Sequence, residues 1–481
     1  METRRVDIAI IGAGTAGLNA VREAQKSGKS WLLIDPGPYG TTCARVGCMP
    51  SKLLIAAAEA AHDATHRFGE LGIRVGPVAV DGSAVMARVR RERDRFVGFV
   101  VDDTRSLPEQ NRLCGRARFV DATTLEVELA DESVRVVTAV TVIAIGSSPV
   151  VLPAFDAVRD RLLTSDTIFE LPELPGSMAV IGTGIIGLEL GQAMSRLGVD
   201  VTFLDRSEHV GPCTDPEVID CIDEVLSAEI RLQLGADIVS AKPRGRQVEI
   251  AWRQAGGAER SNVFDTVLIA AGRRADLEAL QLAAAGLELD DRGMPPWDPQ
   301  TTQCGELPIF LAGDANGYRP LLHEGGDEGR IAGENAARWP EVQRHDRRTP
   351  LTVVFSDPQI AMVGASYRDL DPEQVAIGAT SFANQGRARV MAVNRGIMRI
   401  YAHRDGCVLL GAEMFGPRME HMAHLLAWAV QQRVTVQQLL QMPVYHPTLE
   451  EGMRSALRDL ARNLKVQGEC RPEDMTEAPG T

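Results

Sequence analysis

Two cysteines, Cys43 and Cys48, lie close enough in the sequence to form a local redox pair. The first turn of a helix would bring their side chains together, and a disulfide between them would close a very small loop. Closing so small a loop stabilises a fold only weakly, which favours a redox role over a structural crosslink. A thiol near a helix N-terminus has a lowered pKa, and the thiolate is the species that exchanges with disulfides. Two ordinary free cysteines are the competing interpretation.

A second candidate site lies near the C-terminus, in the segment HPTLEE that begins at His446 and ends at Glu451. A histidine near a reactive dithiol can take up its proton and return it. A carboxylate can orient the imidazole ring and favour its charged form. Thr448 and Glu451 also have the spacing of a helix capping box. The two roles are compatible, because a cap would fix the loop that presents His446.

The elements that would position these side chains are indicated by a glycine motif, GxGxxG, that occurs twice. In each copy an apolar run leads into the motif and a helical pattern follows it. A short apolar strand then ends in an acid, Asp35 in the first copy and Asp205 in the second, at the same distance from the last glycine. The glycines are Gly12, Gly14 and Gly17 in the first copy and Gly182, Gly184 and Gly187 in the second.

Each part of such a motif has a physical role in binding a dinucleotide. The first glycine allows a tight turn, the second lets the backbone approach a pyrophosphate, and the third lets the helix pack closely on the strand. The helix N-terminus then faces the phosphates with its partial positive charge. The acid accepts hydrogen bonds from ribose hydroxyls. One copy alone could be an ordinary glycine-rich turn, but two matching copies predict sites for two different dinucleotides.

Further buried strands are predicted after each motif. Residues 136–145 are rich in β-branched side chains and end at Gly146, and residues 267–271 end at Gly272. Residues 309–312 form another apolar run, which leads to Asp314. From about Pro350 the pattern changes to strands mixed with helices, which is typical of an α+β domain. There we predict strands at 352–355, 396–401 and 408–411 and an amphipathic helix at 453–464.

Composition limits the classes of protein to consider. A chain of 481 residues implies several domains, and a net charge of -14 argues against a nucleic-acid partner. The sequence has no apolar stretch of membrane-spanning length, so we expect no membrane segment and, by default, a cytoplasmic location. The N-terminal apolar run leads directly into a glycine motif, which favours a strand over a signal peptide. No Cys/His cluster has zinc-site spacing, so we expect no metal.

Together these motifs resemble one family, the class I pyridine nucleotide–disulfide oxidoreductases, and within it the chain is most similar to dihydrolipoamide dehydrogenase. The resemblance extends from residue 6 to about residue 464. It implies an α/β fold with two Rossmann-like dinucleotide-binding domains, for FAD and NAD, and a C-terminal α+β dimerisation domain. Its marks are Gly12-x-Gly14-x-x-Gly17, Cys43-x4-Cys48 followed by Met49-Pro50-Ser51-Lys52, Gly182-x-Gly184-x-x-Gly187-Leu188-Glu189, Ala312-Gly313-Asp314 and His446-Pro447-Thr448-x-x-Glu451.

The resemblance implies which residues bind the two cofactors. Lys52 would lie beside the flavin in an ion pair with Glu189. We expect NAD, because the Asp205 carboxylate would repel the 2′-phosphate of NADP; Arg206 leaves NADP as the alternative. FAD would be bound by Gly12, Gly14, Gly17, Asp35, Lys52, Gly146, Asp314 and the helix that begins near His323, and the nicotinamide dinucleotide by Gly182, Gly184, Gly187, Asp205 and Gly272.

The resemblance also implies a reaction and partners. Cys48 would face the flavin and Cys43 would exchange with the substrate, so that dihydrolipoamide is oxidised by NAD through their disulfide. His446 and Glu451 would come from the partner subunit, so a complete active site would need a homodimer. A lipoyl-bearing protein or an acyltransferase core would carry the substrate.

The resemblance implies four regions along the chain. Residues 1–148 would bind FAD, residues 149–272 would bind NAD, and residues 273–348 would form a central domain that completes the FAD site. Residues 349–465 would form the dimer interface. Residues 466–481 are polar and contain Gly and Pro, a composition that predicts a disordered tail.

Three positions depart from the family pattern and leave other functions open. Thr41 replaces a usual glycine, Arg45 a usual asparagine, and Ile145 a usual threonine. Arg45 would add a cation beside the dithiol, which would lower a thiol pKa or change the substrate. The alternatives are an NAD(P)H-dependent reductase of another disulfide or of a metal ion, as in glutathione or mercuric reductases, and a non-catalytic FAD/NAD-binding protein that senses redox state.

Overall fold

The first sheet places the N-terminal glycine motif at the end of a central strand. The computed structural model describes residues 1–254 and 256–464. Seven strands form this sheet: β1 (Glu2–Ile11), β2 (Trp31–Ile34), β3 (Arg112–Leu113), β4 (Arg116–Asp121), β5 (Thr124–Glu128), β6 (Ser133–Ile143) and β17 (Ile309–Leu311). β1 pairs in parallel with β2 on one side and β6 on the other. Ligands bind in such sheets where the strand order reverses, at the carboxyl ends of the strands.

Helices of the N-terminal region carry the candidate dithiol, and the first of them covers this sheet. They are α1 (Thr15–Ser27), α2 (Thr42–Val46), α3 (Cys48–His62), α4 (Phe68–Glu70) and α5 (Gly82–Ser106). A π-helical turn, Asp63–Arg67, connects α3 to α4. α1 follows the first glycine motif directly and buries its apolar face, which includes Leu18 and Val21, against the sheet.

A second parallel sheet repeats the layout of the first. Its strands run in the order β11-β10-β9-β15-β8, so β9 lies between β10 and β15 as β1 lies between β2 and β6. The strands are β8 (Leu162–Thr164), β9 (Ser177–Ile181), β10 (Asp200–Leu204), β11 (Arg231–Gln233) and β15 (Thr266–Ile269), with helices α6 (Ile185–Arg196) and α7 (Pro216–Ser227). Flanking it are an antiparallel sheet of β12 (Ala236–Arg244), β13 (Gln247–Gln254) and β14 (Glu259–Phe264), and the pair β7 (Ser148–Pro149) with β16 (Arg273–Arg274).

The region after the second sheet returns to the first. β17 pairs in parallel with β6, and α8 (Leu322–Arg338) packs closely on α1. A Cβ at Gly329 would lie 2.1 Å from the carbonyl oxygen of Ala16, so this crossing requires glycine. The residues around 309–338 therefore complete the layer beside the first glycine motif.

The C-terminal region is an antiparallel sheet covered by helices. Its strands, in spatial order, are β18 (Leu351–Val354), β19 (Gln359–Gly364), β22 (Leu409–Gly416), β21 (Ile397–His403) and β20 (Val375–Ser381). Its helices are α9 (Gly386–Val390), α10 (Met419–Gln431), α11 (Val436–Leu440) and α12 (Glu451–Asn463). α12 crosses β20 at Gly378, where a Cβ would lie 2.3 Å from the Ala456 carbonyl oxygen.

This architecture confirms the predicted fold class of two Rossmann-like units followed by an α+β region. Element ends differ from prediction by a few residues: the strand predicted at 396–401 is Ile397–His403, and the helix predicted at 453–464 begins at Glu451. The domain boundaries stay a prediction, and the predicted disordered tail lies outside the described residues. Within the described ranges, no helix combines the length and apolar character needed to cross a membrane.

Candidate active site

The dithiol lies where a short helix and a longer one meet at Gly47. Cys43 belongs to α2, and Cys48 is the first residue of α3. Both are free thiols, and their side chains are hydrogen-bonded to each other. A Cβ at Gly47 would lie 3.1 Å from the carbonyl oxygen of Thr42, so the small residue lets the two segments approach. The predicted proximity of the sulfurs is present, while their oxidation to a disulfide stays a prediction.

The two thiols differ in acidity. The hydrogen bond from Cys43 and then the Lys52 ammonium lower the pKa of Cys48 to about 7, against burial, which raises it. The same hydrogen bond, followed by burial, raises the pKa of Cys43 far above its ordinary value. Cys48 is therefore the thiol that ionises near neutral pH, while Cys43 keeps its proton.

Lys52 and Glu189 form the ion pair that was predicted for them. Lys52 lies one turn after Cys48 on α3, and its Nζ is 2.7 Å from Oε2 of Glu189, a buried residue on α6. The other oxygen, Oε1, accepts the backbone N–H of Phe355 at 2.9 Å. Sequence analysis missed Phe355, which carries no polar side chain and comes from the C-terminal region. Three distant segments thus meet beside the dithiol.

Arg45 is not among the main groups that shift the pKa of either thiol, so its expected effect on thiol acidity is not seen, while its effect on the substrate stays a prediction. Its Nη1 donates to the carbonyl oxygen of Pro38 at 3.0 Å. Its aliphatic stem packs on Gly40, where a Cβ would lie 2.8 Å from the Arg45 Cδ. Lys52 is the cation that favours the thiolate form of both sulfurs, although the pKa of Cys43 stays raised by the hydrogen bond and by burial. The Arg45 guanidinium therefore bonds to the loop before α2, whereas its position in the sequence had suggested a place beside the dithiol.

Thr41 adopts a backbone conformation that favours glycine, with φ of 54°. The glycine usual in the family at this position is therefore explained by the turn into α2. The threonine contributes a compensating contact, because its Oγ1 accepts the N–H of Ala44 at 3.3 Å and caps α2.

His446 and Glu451 are joined in the structure. Nδ1 of His446 lies 2.9 Å from Oε1 of Glu451, and half of the His446 side chain is exposed. Glu451 Oε2 accepts the N–H of Thr448 at 3.0 Å, which is one half of the predicted capping box. The other half is absent, because Thr448 Oγ1 donates to the carbonyl oxygen of Tyr445 and α12 has no side-chain cap. Glu451 therefore fixes both the ring and the loop that presents it.

The first glycine motif has the shape of a pyrophosphate cradle. Gly12 has φ of 108°, and a Cβ there would lie 2.2 Å from the Ala144 carbonyl oxygen. A Cβ at Gly17 would lie 1.8 Å from the Gly12 carbonyl oxygen. No side chain caps α1 at Gly14 and no acid lies in its first turn, so its N-terminus is available to an anion. These features fit the phosphates of FAD.

Asp35 does more than the ribose contact expected of it. Its carboxylate accepts the N–H of Ala13 at 2.7 Å and that of Gly37 at 2.6 Å, and so it ties β2 to the glycine loop. Gly37 precedes a proline in the loop that leads toward the dithiol. The acid therefore shapes the cradle, and its contact with a ribose stays a prediction.

The second motif repeats this arrangement. Gly182 has φ of 107°, and a Cβ at Gly187 would lie 2.0 Å from the Gly182 carbonyl oxygen. α6 begins after Gly184 with neither a side-chain cap nor an acid in its first turn. Asp205 accepts the N–H and the hydroxyl of Thr183 at 2.5 and 2.7 Å. The second cradle therefore also fits a dinucleotide.

The loop that carries Asp314 is fixed by a network that sequence analysis missed. Asp314 accepts the hydroxyl of Ser147 at 3.0 Å. Fully buried Glu328 accepts the N–H of Gly313 at 2.8 Å, and its other oxygen accepts Arg347 at 2.8 Å. The sequence did offer one signal for this network, an acidic residue among small residues on one face of α8. The network orients Asp314 without any contribution from a ligand.

The remaining predicted residues lie at strand and helix ends. Gly146 and Gly272 follow β6 and β15 with φ of 70° and 109°. His323 is in the first turn of α8, and burial lowers its pKa. Among the described residues, no group of three or more His, Cys, Asp or Glu side chains is placed to hold a metal ion.

Comparison with known proteins identifies relatives over nearly the whole chain. Dihydrolipoyl dehydrogenase 3 of Pseudomonas aeruginosa is 31% identical over 469 residues, which cover 94% of this chain and 97% of that protein. Dihydrolipoyl dehydrogenase of Geobacillus stearothermophilus is 30% identical over 456 residues, with coverage of 92% and 93%.

Solved structures share the fold. LpdA from Mycobacterium tuberculosis has a TM-score of 0.81 and 26% identity, covering 95% of this chain and 99% of its own. The Cu(II) complex of the HOCl-induced flavoprotein disulfide reductase RclA from Escherichia coli has a TM-score of 0.80 at 22% identity, covering 94% and 99%. That second likeness shows the fold alone.

Two family models match the chain. The model of the pyridine nucleotide-disulphide oxidoreductases matches residues 6–331, and the model of their dimerisation domain matches residues 351–457. The chain therefore belongs to the class I pyridine nucleotide-disulfide oxidoreductases, enzymes that use FAD and a nicotinamide dinucleotide.

Proposed function

We propose that the protein is a homodimeric, NAD-dependent dihydrolipoamide dehydrogenase. The observation that carries the proposal is the unequal dithiol: Cys48, with a pKa of about 7, is hydrogen-bonded to Cys43 beside the Lys52 ammonium. Such a pair suits thiol–disulfide exchange, in which one sulfur leaves as a thiolate and the other takes the substrate. The relatives named dihydrolipoyl dehydrogenase, 31% and 30% identical to this chain, support the choice of substrate.

The exchange begins with the oxidised pair. A dihydrolipoyl thiolate attacks the Cys43 sulfur, a mixed disulfide forms, and Cys48 leaves as a thiolate. Its pKa of about 7 makes it a good leaving group near neutral pH. His446 takes the proton of the second substrate thiol, which attacks the substrate sulfur of the mixed disulfide and releases Cys43. The products are lipoamide and the reduced pair.

The cofactor would lie in the cradle formed by the first motif. Gly12, Gly14 and Gly17 would hold its pyrophosphate, Asp35 its adenosine ribose, and Asp314 its ribityl chain. When bound, FAD supplies the two-electron carrier between the dithiol and NAD. Lys52 and the N-terminus of α8 would place positive charge near its ring.

A second protomer would complete the site. His446 has half of its side chain exposed, and neighbouring Tyr445 is 82% exposed. Leu425, Trp428 and Met442 also expose 39%, 65% and 52% of their surface, which is a large apolar area for a free surface. Contact with a second copy would cover these residues and bring His446 to the partner's dithiol.

NAD is proposed over NADP on the charge of the second cradle. Asp205 ends β10, and its carboxylate would repel a 2′-phosphate. Arg206 follows Asp205 directly in the sequence and is exposed. A lipoyl-bearing protein is proposed as the carrier of the substrate.

Steady-state assays of the purified protein test the proposal. Dihydrolipoamide should be oxidised with NAD, and kcat/KM with NADH should exceed that with NADPH in the reverse direction. Cys43→Ser should abolish turnover while FAD stays bound. Turnover with glutathione disulfide or Hg²⁺ and none with lipoamide would refute the substrate, and a Cys43→Ser variant that loses FAD would show that the loop is structural.

A further inference from the structure

The loop that follows β18 is held along one face of α6. The N–H and C=O of Asp357 both bond to the side-chain amide of Gln192, each at 2.9 Å, and its carboxylate accepts Arg196 at 2.8 Å. One turn nearer the start of the helix, Glu189 accepts the N–H of Phe355 at 2.9 Å. Glu189, Gln192 and Arg196 share a face because they are three and four positions apart. The loop is thus fixed in register on the helix.

This register places the Phe355 ring against Lys52. The Lys52 Nζ lies 4.4 Å from the ring centroid, within the range of about 6 Å for a cation–π contact. Glu189 binds the same ammonium at 2.7 Å. The Lys52 side chain is 34% exposed, and a free lysine stem has large rotamer freedom. The ring and the carboxylate together restrict it from two sides.

We propose that Phe355 is a positioning residue of the redox centre, whose ring holds the Lys52 ammonium where it acts on the Cys48 sulfur. The groups that act on this sulfur include the Cys43 thiol, Lys52 and Glu189, and Lys52 supplies the positive charge that favours the thiolate. A residue of the C-terminal region therefore tunes a thiol of the N-terminal region. The packing of the C-terminal region on α6 therefore affects the reactivity of the Cys48 thiol in the N-terminal region.

The inference deepens the proposed function at the same site, but its test uses no substrate. Failure of the test would leave the substrate assignment intact, and loss of lipoamide turnover would leave this inference intact. Two variants remove the ring while keeping an apolar side chain, Phe355→Leu and Phe355→Met. Phe355→Tyr keeps the aromatic face and is the matched control.

The measurement is the pH dependence of Cys48 alkylation by iodoacetamide in the reduced holoenzyme, followed on the Cys48 peptide by mass spectrometry. A less well held ammonium stabilises the thiolate less, so the thiol pKa rises and less thiolate is present at neutral pH. We expect alkylation near pH 7 to slow by about twofold to threefold in the Leu and Met variants, with convergence at alkaline pH. Phe355→Tyr should match the parent.

A double-variant comparison separates positioning from a general packing effect. With Lys52→Met as the background, Phe355→Leu should cause no further change in Cys48 reactivity, because the group on which the ring acts is gone. An unchanged profile in both the Leu and Met variants would overturn the proposal. So would an equal slowing with and without Lys52, or a Tyr variant as slow as Leu.

Discussion

Replacing Cys43 with alanine removes the hydrogen-bond donor that lowers the pKa of Cys48 most strongly. Burial opposes that effect, and the Lys52 ammonium contributes less than the hydrogen bond. Without the donor, only the weaker effect of the Lys52 ammonium would stabilise the Cys48 thiolate. Its pKa should therefore move from about 7 back toward the ordinary 9.0.

The size of this shift follows from the strength of a charge-assisted hydrogen bond. Such a bond contributes about 1.5–3 kcal/mol, and one pKa unit corresponds to about 1.4 kcal/mol. The pKa of Cys48 should accordingly rise by roughly one to two units. About half of Cys48 is thiolate at pH 7 when its pKa is about 7, so alkylation there should slow by about fivefold for a rise of one unit and about fiftyfold for a rise of two.

The assay is the rate of Cys48 alkylation as a function of pH, read by peptide mass spectrometry because exposed Cys114 also reacts. Cys43→Ser is the matched control, since its hydroxyl keeps a donor and should give a smaller shift. An alanine variant whose Cys48 still titrates near 7 would refute the reasoning. The low pKa would then have a source other than the neighbouring thiol.

Three further outcomes are expected at the histidine loop, at Thr41 and at the first glycine motif. Glu451→Gln should lower kcat by about a hundredfold, because the amide cannot stabilise a protonated His446; an unchanged kcat would exclude the role. Thr41→Gly should raise the free energy of unfolding by about 1 kcal/mol, because glycine adopts the positive φ without strain. Thr41→Val loses only the side-chain cap and should lower the free energy of unfolding. A denaturant titration that showed the reverse order of stability would contradict this. Gly17→Ala should lower both the melting temperature and FAD content, because its Cβ would lie 1.8 Å from a carbonyl oxygen. Gly14→Ala should lower FAD content alone, since its Cβ would lie 4.0 Å from the Ala144 carbonyl oxygen, which is an ordinary contact; equal melting losses would count against that distinction.

Local patterns were enough to predict the fold. Each GxGxxG motif carries its own strand, turn and helix, so the period of the apolar residues and the glycine positions predict a Rossmann-like unit without knowledge of distant contacts. The dithiol was predictable for the same reason, because Cys43 and Cys48 are neighbours on one short segment. For the C-terminal region the sequence predicted only an α+β domain, and the ends of its predicted strands differ from the observed ends by a few residues.

Contacts between distant segments could not be predicted from periodicity. Glu189 bonds to Lys52 and to Phe355, which lie 137 and 166 positions away in the sequence. The family motif supplied the first pairing, but nothing in the sequence marks Phe355. Arg45 shows the converse error, because its position between the cysteines says nothing about the direction of a long side chain. The carbonyl of Pro38 decides that direction.

Reductive titration of the purified holoenzyme tests the central claim most directly. If Cys43 and Cys48 exchange electrons with the flavin, full reduction should consume twice as many reducing equivalents as bound FAD alone accepts. Cys43→Ser should consume only the amount that FAD accepts. A parent enzyme that takes up no more than its FAD requires, with both thiols already free as isolated, would contradict the account.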